Sequence, residues 1–121
     1  MAITLNHTIV PAHDKVASAE FFARLFGLPF NGVAGHFAPV KVNDTLTLDF
    51  DERRDVAHHH LAFQVSEEEF DQILGRVKAE GLKYGSQPGS REDGEINHRR
   101  GGRGVYFGDP NGHSYELLTR P

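Results

Sequence analysis

Residues 58–81, HHHLAFQVSEEEFDQILGRVKAEG, pass from a two-residue hydrophobic period to a helical one without a break. In the first part Leu61, Phe63 and Val65 alternate with His60, Ala62 and Gln64, the pattern of a strand with one buried face. In the second, Phe70, Ile73, Leu74 and Val77 recur at helical spacing and define one apolar stripe. Ser66 with Glu69 forms a capping box at the start of that helix, and Gly81 marks its end.

The same order occurs earlier in the chain. LNHTIV (5–10) is β-like, and DKVASAEFFARLFG (14–27) is helical, with Ala17, Phe21, Leu25 and Leu28 on one face and Gly27 as the stop. Two β-like segments follow, HFAPVKV (36–42) and TLTLDF (45–50), joined by the turn residues Asn43 and Asp44. After the second helix comes a polar, Gly-rich stretch (85–104), expected to be a mobile hairpin or lid. GVYF (104–107), the turn GDPNG (108–112) and HSYELLTR (113–120) then close the chain. His60 lies 53 positions after His7 and Gly81 lies 54 after Gly27, so the halves read as a duplicated unit with one inserted residue. The expected fold is α+β: two βαβββ modules, about 4–53 and 57–120, within a single domain spanning 1–121.

Composition narrows the function. With 121 residues, 38% hydrophobic and 25% charged, the chain is globular in type and of one-domain size. No apolar run is long enough to span a bilayer, and MAITLNHTIVPA has no secretory leader pattern, so no membrane partner is expected. A net charge of -4 argues against nucleic acid. The absence of cysteine excludes disulfides, thiolate metal sites and a thiol nucleophile, and fits a cytoplasmic location. Eight histidines in so small an acidic chain point instead to metal binding, imidazole being the commonest metal ligand.

Strand parity sharpens that expectation. If Leu61, Phe63 and Val65 face a helix, His60 points to the opposite, concave side; if Tyr115 and Leu117 face a helix, Glu116 points to the concave side as well. A carboxylate held away from water needs a partner, and a divalent metal with neutral imidazoles supplies one. His7, at the repeat position of His60, is the natural third ligand.

Three motifs, LNHTIV with His7, HLAF with His60 and GDPNGHSYELL with Glu116, resemble the vicinal-oxygen-chelate superfamily along essentially the whole chain. That superfamily includes glyoxalases, fosfomycin- and bleomycin-resistance proteins and extradiol dioxygenases. The resemblance implies one divalent metal on His7, His60 and Glu116. Glyoxalase-type sites add a fourth ligand from the first half, a position the repeat assigns to Thr47. Threonine being a poor ligand, the resemblance implies two histidines and one carboxylate with open positions, which favours Fe(II), with Mn(II), Zn(II) or Ni(II) as alternatives.

The segment INHRRGGRGVYFGDPNGHSYE (96–116) is similar to the signature of extradiol ring-cleaving dioxygenases, with His98, Val105, Tyr106, Asp109, Pro110, Gly112 and Glu116 in register. By that similarity His98 is the acid/base and Tyr106 a hydrogen-bonding partner of a catecholic substrate, while Asp109 to Gly112 form a structural turn. Arg99, Arg100 and Arg103 either hold a substrate carboxylate or form a solvated loop. His58 and His59 flank His60; His58 shares its parity and could reach the cavity mouth, although a surface position is expected, and His13, His36 and His113 are expected to be structural or exposed.

The resemblance thus implies a small-molecule dioxygenase. The superfamily's familiar ring-cleaving enzymes carry two such domains per chain, so this chain resembles the single-domain forms, which commonly dimerise. A homodimer is expected, in which His7 of one copy is able to join His60 and Glu116 of the other. Two rivals remain. A fosfomycin-resistance enzyme shares the triad but carries substrate-binding residues beyond the last strand, whereas this sequence stops at Pro121. A bleomycin-resistance-type protein would sequester its ligand without catalysis.

Overall fold

The computed structural model describes residues 3–121 as two compact units, one up to Ala57 and the other His58–Pro121. In the first, β1 (His7–Ala12) leads through α1 (Lys15–Phe26) to β2 (Ala38–Lys41) and β3 (Thr47–Glu52). Asp14 caps α1 by accepting the Ala17 amide at 3.0 Å, and Gly27 ends it in the left-handed region at φ 71°. The sheet order is β1-β3-β2, with β1 parallel to β3 and β2 antiparallel to it. Val10, Ala12, Val40, Leu48 and Phe50 meet Phe22 and Leu25 of α1 in the core.

The buried arc of α1 differs from the expected one. Ala17 is exposed, and Ser18, Ala19, Phe21, Phe22, Ala23 and Leu25 are buried. The large Phe22 takes the central position, stacked on Phe26 with centroids 4.2 Å apart and tilted against Phe50 at 6.1 Å, and so rotates the helix away from Ala17.

The second unit runs β4 (His60–Gln64), α2 (Glu67–Ala79), β5 (Tyr84–Gly85), β6 (Gly104–Gly108) and β7 (Ser114–Leu118), in sheet order β4-β7-β6-β5. The capping box is present in both directions, Glu69 N–H to Ser66 Oγ at 3.0 Å and Ser66 N–H to Glu69 Oε1 at 2.8 Å. Phe70, Ile73, Leu74 and Val77 are the buried residues of α2 and join Val105, Phe107, Tyr115 and Leu117 in the core. Each unit is thus a strand, a helix and an antiparallel pair whose last strand lies parallel to the first.

Among the described residues the first unit has no counterpart of β5. Pro39, in the middle of β2, has no amide hydrogen to offer another strand, which suits β2 to a sheet edge. The stretch 85–104, expected as a mobile hairpin or lid, is tied down at several points. Ser86 binds Asp93, Gln87 bridges to Ser90, and Asn97 pairs with Gly104. A Cβ on Gly85 would collide with the Ser90 carbonyl, so glycine is what lets this loop fold back on β5. No helix of the described residues is long and apolar enough to cross a membrane.

Candidate metal and substrate site

On the face of the second sheet away from α2, His60 and Glu116 come together: His60 Nε2 stands 2.9 Å from Glu116 Oε1. The register explains the meeting. His60 pairs with Ser114 and Ala62 with Glu116, so the two site residues are diagonal neighbours on one face of adjacent parallel strands. The imidazole is 46% exposed and the carboxylate 17%, which leaves the pair open on one side. Ser114 Oγ, opposite His60, is buried without a hydrogen-bond partner among the described residues.

Tyr106, on β6, pairs directly with Glu116. Its ring lies edge-on to His60 with centroids 5.8 Å apart, and it is nearly fully buried. Its hydroxyl receives a hydrogen bond from Arg99 Nη1 at 2.7 Å, while Arg99 Nη2 donates to Gln87. Burial pushes the phenol above its ordinary value, Arg99 opposes this, and the neighbouring Glu116 carboxylate adds to it. The tyrosine is therefore held neutral, as a hydrogen-bonding group.

His98 and Tyr106 are expected to line the site together, His98 as its acid/base. His98 is exposed and precedes the 3₁₀ turn Arg99–Gly101, and it is Arg99 that reaches the tyrosine hydroxyl. The basic patch divides into separate roles. Arg103 leaves it by binding Glu67 and Asp71, both at 2.8 Å, with its guanidinium 4.4 Å above the Phe70 ring. Those contacts lower the two carboxyls and raise the guanidinium.

His7 lies in the first unit, exposed at the start of β1, with Nδ1 2.8 Å from Asn6 Oδ1. Among the described residues no group of three or more His, Asp or Glu side chains stands close enough together to hold a metal ion. The donors that meet, one imidazole and one carboxylate, are nonetheless of the type a divalent first-row metal takes.

Register corrects one expectation about the first half. His7 pairs with Thr47 as His60 pairs with Ser114, and the strand entries match: Thr47 N–H binds Asn6 O and Ser114 N–H binds His59 O, each at 2.9 Å. Thr47 therefore corresponds to Ser114, and the counterpart of Glu116 is Asp49. The offset is 53 between the first strands but 67 between the last, because the long loop before β6 lengthens the second half. Thr47 and Pro39, neighbours of His7 and Asp49 on that sheet, line a cleft of ≈ 490 Å³ with Val33 and Lys41.

The remaining histidines are structural or exposed. His113 is fully buried and its Nδ1 accepts the His59 amide at 2.9 Å. Burial, then the nearby His113, lower the pKa of His59. His36 pairs with the buried Asp51 at 3.0 Å, and Arg53 beside that carboxyl holds it below its ordinary value.

Comparison with known proteins adds to this geometry. A family model described as the Glyoxalase/Bleomycin resistance protein/Dioxygenase superfamily matches residues 4–117. Metallothiol transferase FosB of Lysinibacillus sphaericus is 29% identical over 122 residues, 96% of this chain and 82% of the relative. Among solved structures, oxidase ChaP-H2 is 51% identical with a TM-score of 0.94, covering 100% of this chain and 96% of its own. Oxidase ChaP-H1 is 49% identical with a TM-score of 0.93, covering 99% and 98%.

Proposed function

The chain belongs to the glyoxalase/bleomycin resistance protein/dioxygenase superfamily, and we propose that within it this protein is a divalent-metal-dependent, dioxygen-using enzyme of the extradiol type, acting on a catecholic or similar vicinal-oxygen small molecule. The observation that carries this reading is the meeting of His60, Glu116 and Tyr106 on one face of the second sheet. The 51% identity to a protein named as an oxidase supports it.

We assign His60 and Glu116 as metal ligands, with His7 as the third, given by the same chain or by the partner copy of a homodimer. Asp49, two positions beyond the register partner of His7, is a further donor beside His7 on the first sheet. Fe(II) is the favoured ion; Mn(II), Zn(II) and Ni(II) suit the same donors. When bound, such an ion would gather both substrate oxygens and dioxygen in one coordination shell. The protein's own part is positional. Tyr106, held neutral with its hydroxyl fixed by Arg99, hydrogen-bonds a substrate oxygen, and the exposed His98 carries protons to and from the site.

The test is anaerobic Fe(II) loading followed by catechols and oxygen, with oxygen uptake and the yellow ring-cleaved product as readouts. A broad catechol panel left untouched by iron-loaded protein would sink the dioxygenase reading. Metal affinity, measured separately by calorimetry, should fall at least about tenfold in Glu116→Gln, since loss of a ligand outweighs the effect of removing its supporting contacts. If the sites are shared between copies, mixed dimers of His7→Ala and Glu116→Ala chains regain metal binding that neither parent has. A second reading, metallothiol transfer, is favoured by the similarity to FosB; Mn(II)-dependent thiol addition to fosfomycin without any oxygen uptake would select it.

A further inference from the structure

Beside Glu116, in the same unit, lies a small cleft of ≈ 170 Å³ whose walls include Arg99, Arg100 and Arg120. In a chain of net charge -4, this concentration of guanidinium groups needs a reason. Arg103, on the same wall, is neutralised by Glu67 and Asp71. The other three have no ion pair among the described residues. Among the described residues the Arg99 guanidinium donates to the neutral Tyr106 hydroxyl and the Gln87 amide oxygen, neither of them an acid. Glu116, the one acid on the cleft wall, is already engaged with His60.

The backbone adds an independent observation. Arg100 has φ 56° and ψ 27°, and it is the one non-glycine residue with positive φ among the described residues. That region is unfavourable for a residue with a Cβ, and glycine occupies it freely. Gly101, Gly102 and Gly104 surround the position, so the loop does not lack glycine. An arginine is nevertheless held there, and it lines the cleft. Gly102 serves the same arrangement. A Cβ there would stand 2.9 Å from Arg120 Cγ, so its absence lets the Arg120 stem lie against the loop.

We propose that this cleft binds an anionic oxygen group, a carboxylate in the first instance, carried by the substrate whose vicinal oxygens engage the neighbouring metal site. Guanidinium groups match carboxylates with paired N–H donors, and Arg99 keeps donors to spare after its two bonds. The volume is well below that of a whole ligand pocket, so the cleft takes a substituent while the body of the molecule lies outside it. The substrate class that follows is an acidic aromatic, an aryl carboxylate bearing adjacent oxygens. The link to a substrate rests on the oxygenase reading above; the anion site itself does not.

The test therefore uses metal-free protein. Benzoate and its neutral isostere benzamide are titrated against ¹⁵N-labelled protein at low ionic strength, following the arginine side-chain N–H signals. Benzoate should bind at least about tenfold more tightly than benzamide, move the Arg99 and Arg100 signals, and weaken as salt is added. Arg100→Gly, which keeps the positive φ without strain, and Arg120→Ala should each weaken benzoate several-fold, and together about tenfold or more, with an unchanged thermal midpoint confirming the fold. Equal binding of benzoate and benzamide, or full benzoate affinity in the folded double variant, overturns the proposal. Iron-dependent turnover of neutral catechols by the unaltered protein is scored separately. Inert iron-loaded protein that still binds benzoate defeats only the oxygenase reading, and active protein indifferent to benzoate defeats only the anion site.

Discussion

Replacing Asp109 with alanine should destabilise the second unit more than any other change at a partly exposed carboxylate. Asp109 Oδ1 accepts the amides of Asn111 and His113, each at 2.9 Å, and Oδ2 receives Asn111 Nδ2 at 2.9 Å with the Tyr115 hydroxyl at 3.4 Å. Asn111 and His113 are 5% and 0% exposed, so their donors do not regain water when the carboxylate is removed. A hydrogen bond to a charged acceptor contributes about 1.5–3 kcal/mol, and the bonds of one cluster are not additive, which gives about 3–4 kcal/mol for Asp109→Ala. In a chain of this size the thermal midpoint should fall by roughly 10 °C or somewhat more. Asp109→Asn keeps one acceptor oxygen for the two amides and should lose about half as much. The assays are urea denaturation with the slope checked for constancy, and amide exchange at His113, which should become fast in the alanine variant alone. Because this turn delivers β7, and Glu116 with it, into register, metal affinity should also drop. A loss below about 1 kcal/mol, or equal losses for alanine and asparagine, would refute the view that this carboxylate organises the turn.

Two further outcomes follow from local contacts. Ser66→Ala removes one arm of the capping box and should cost about 1 kcal/mol in denaturation experiments. The Ser66 backbone and hydroxyl hold Glu69 below its ordinary value, so this contribution is present above the ordinary glutamate range and is lost as pH falls through the lowered one; the variant should show a shallower acid limb. His59 is likewise lowered, by burial and by His113, so the folded state favours its neutral form. Its contribution is complete above the ordinary imidazole value and is lost as pH falls through the lowered folded value, and His59→Gln should flatten the midpoint-versus-pH curve in that window. An unchanged curve in that variant would show that other groups set the acid sensitivity.

What the sequence makes legible here is what short-range chemistry determines. Ser66, Glu69 and Gly81 bound α2 through contacts within a few residues, and alternation about Leu61 and Leu117 is enough to place His60 and Glu116 on one face. The misreadings arise where a distant element decides. Ala17 and Phe22 both fit a helical period, and only the packing of Phe22 against Phe50 on β3 chooses between them. Arg99 belongs to a loop whose path depends on Asn97 pairing with Gly104, so no local period announces that it will cap Tyr106. Asp49 was hidden by counting the repeat from its first strands, where the halves agree, although the inserted loop displaces the last strands by a further fourteen positions.

That displacement also changes which donors the first unit carries. With Thr47 as the counterpart of Glu116, the first unit offered His7 alone, and openness of the metal shell argued for oxygen chemistry. With Asp49 there, each unit carries the same pair, a histidine opening the first strand and a carboxylate two residues past its register partner. Openness no longer separates the reactions, and the burden passes to what differs between the two pairs. Opposite Glu116 stands Tyr106, clamped by Arg99; opposite Asp49 stands Pro39, which has no polar side chain and borders the ≈ 490 Å³ cleft. The second unit thus places a hydrogen-bonding wall and guanidinium groups beside its carboxylate, whereas the first, taken by itself, has an open cleft beside Pro39. A ligand suited to the second unit would present oxygens to the Tyr106 wall and a negative charge to the guanidinium groups beside it.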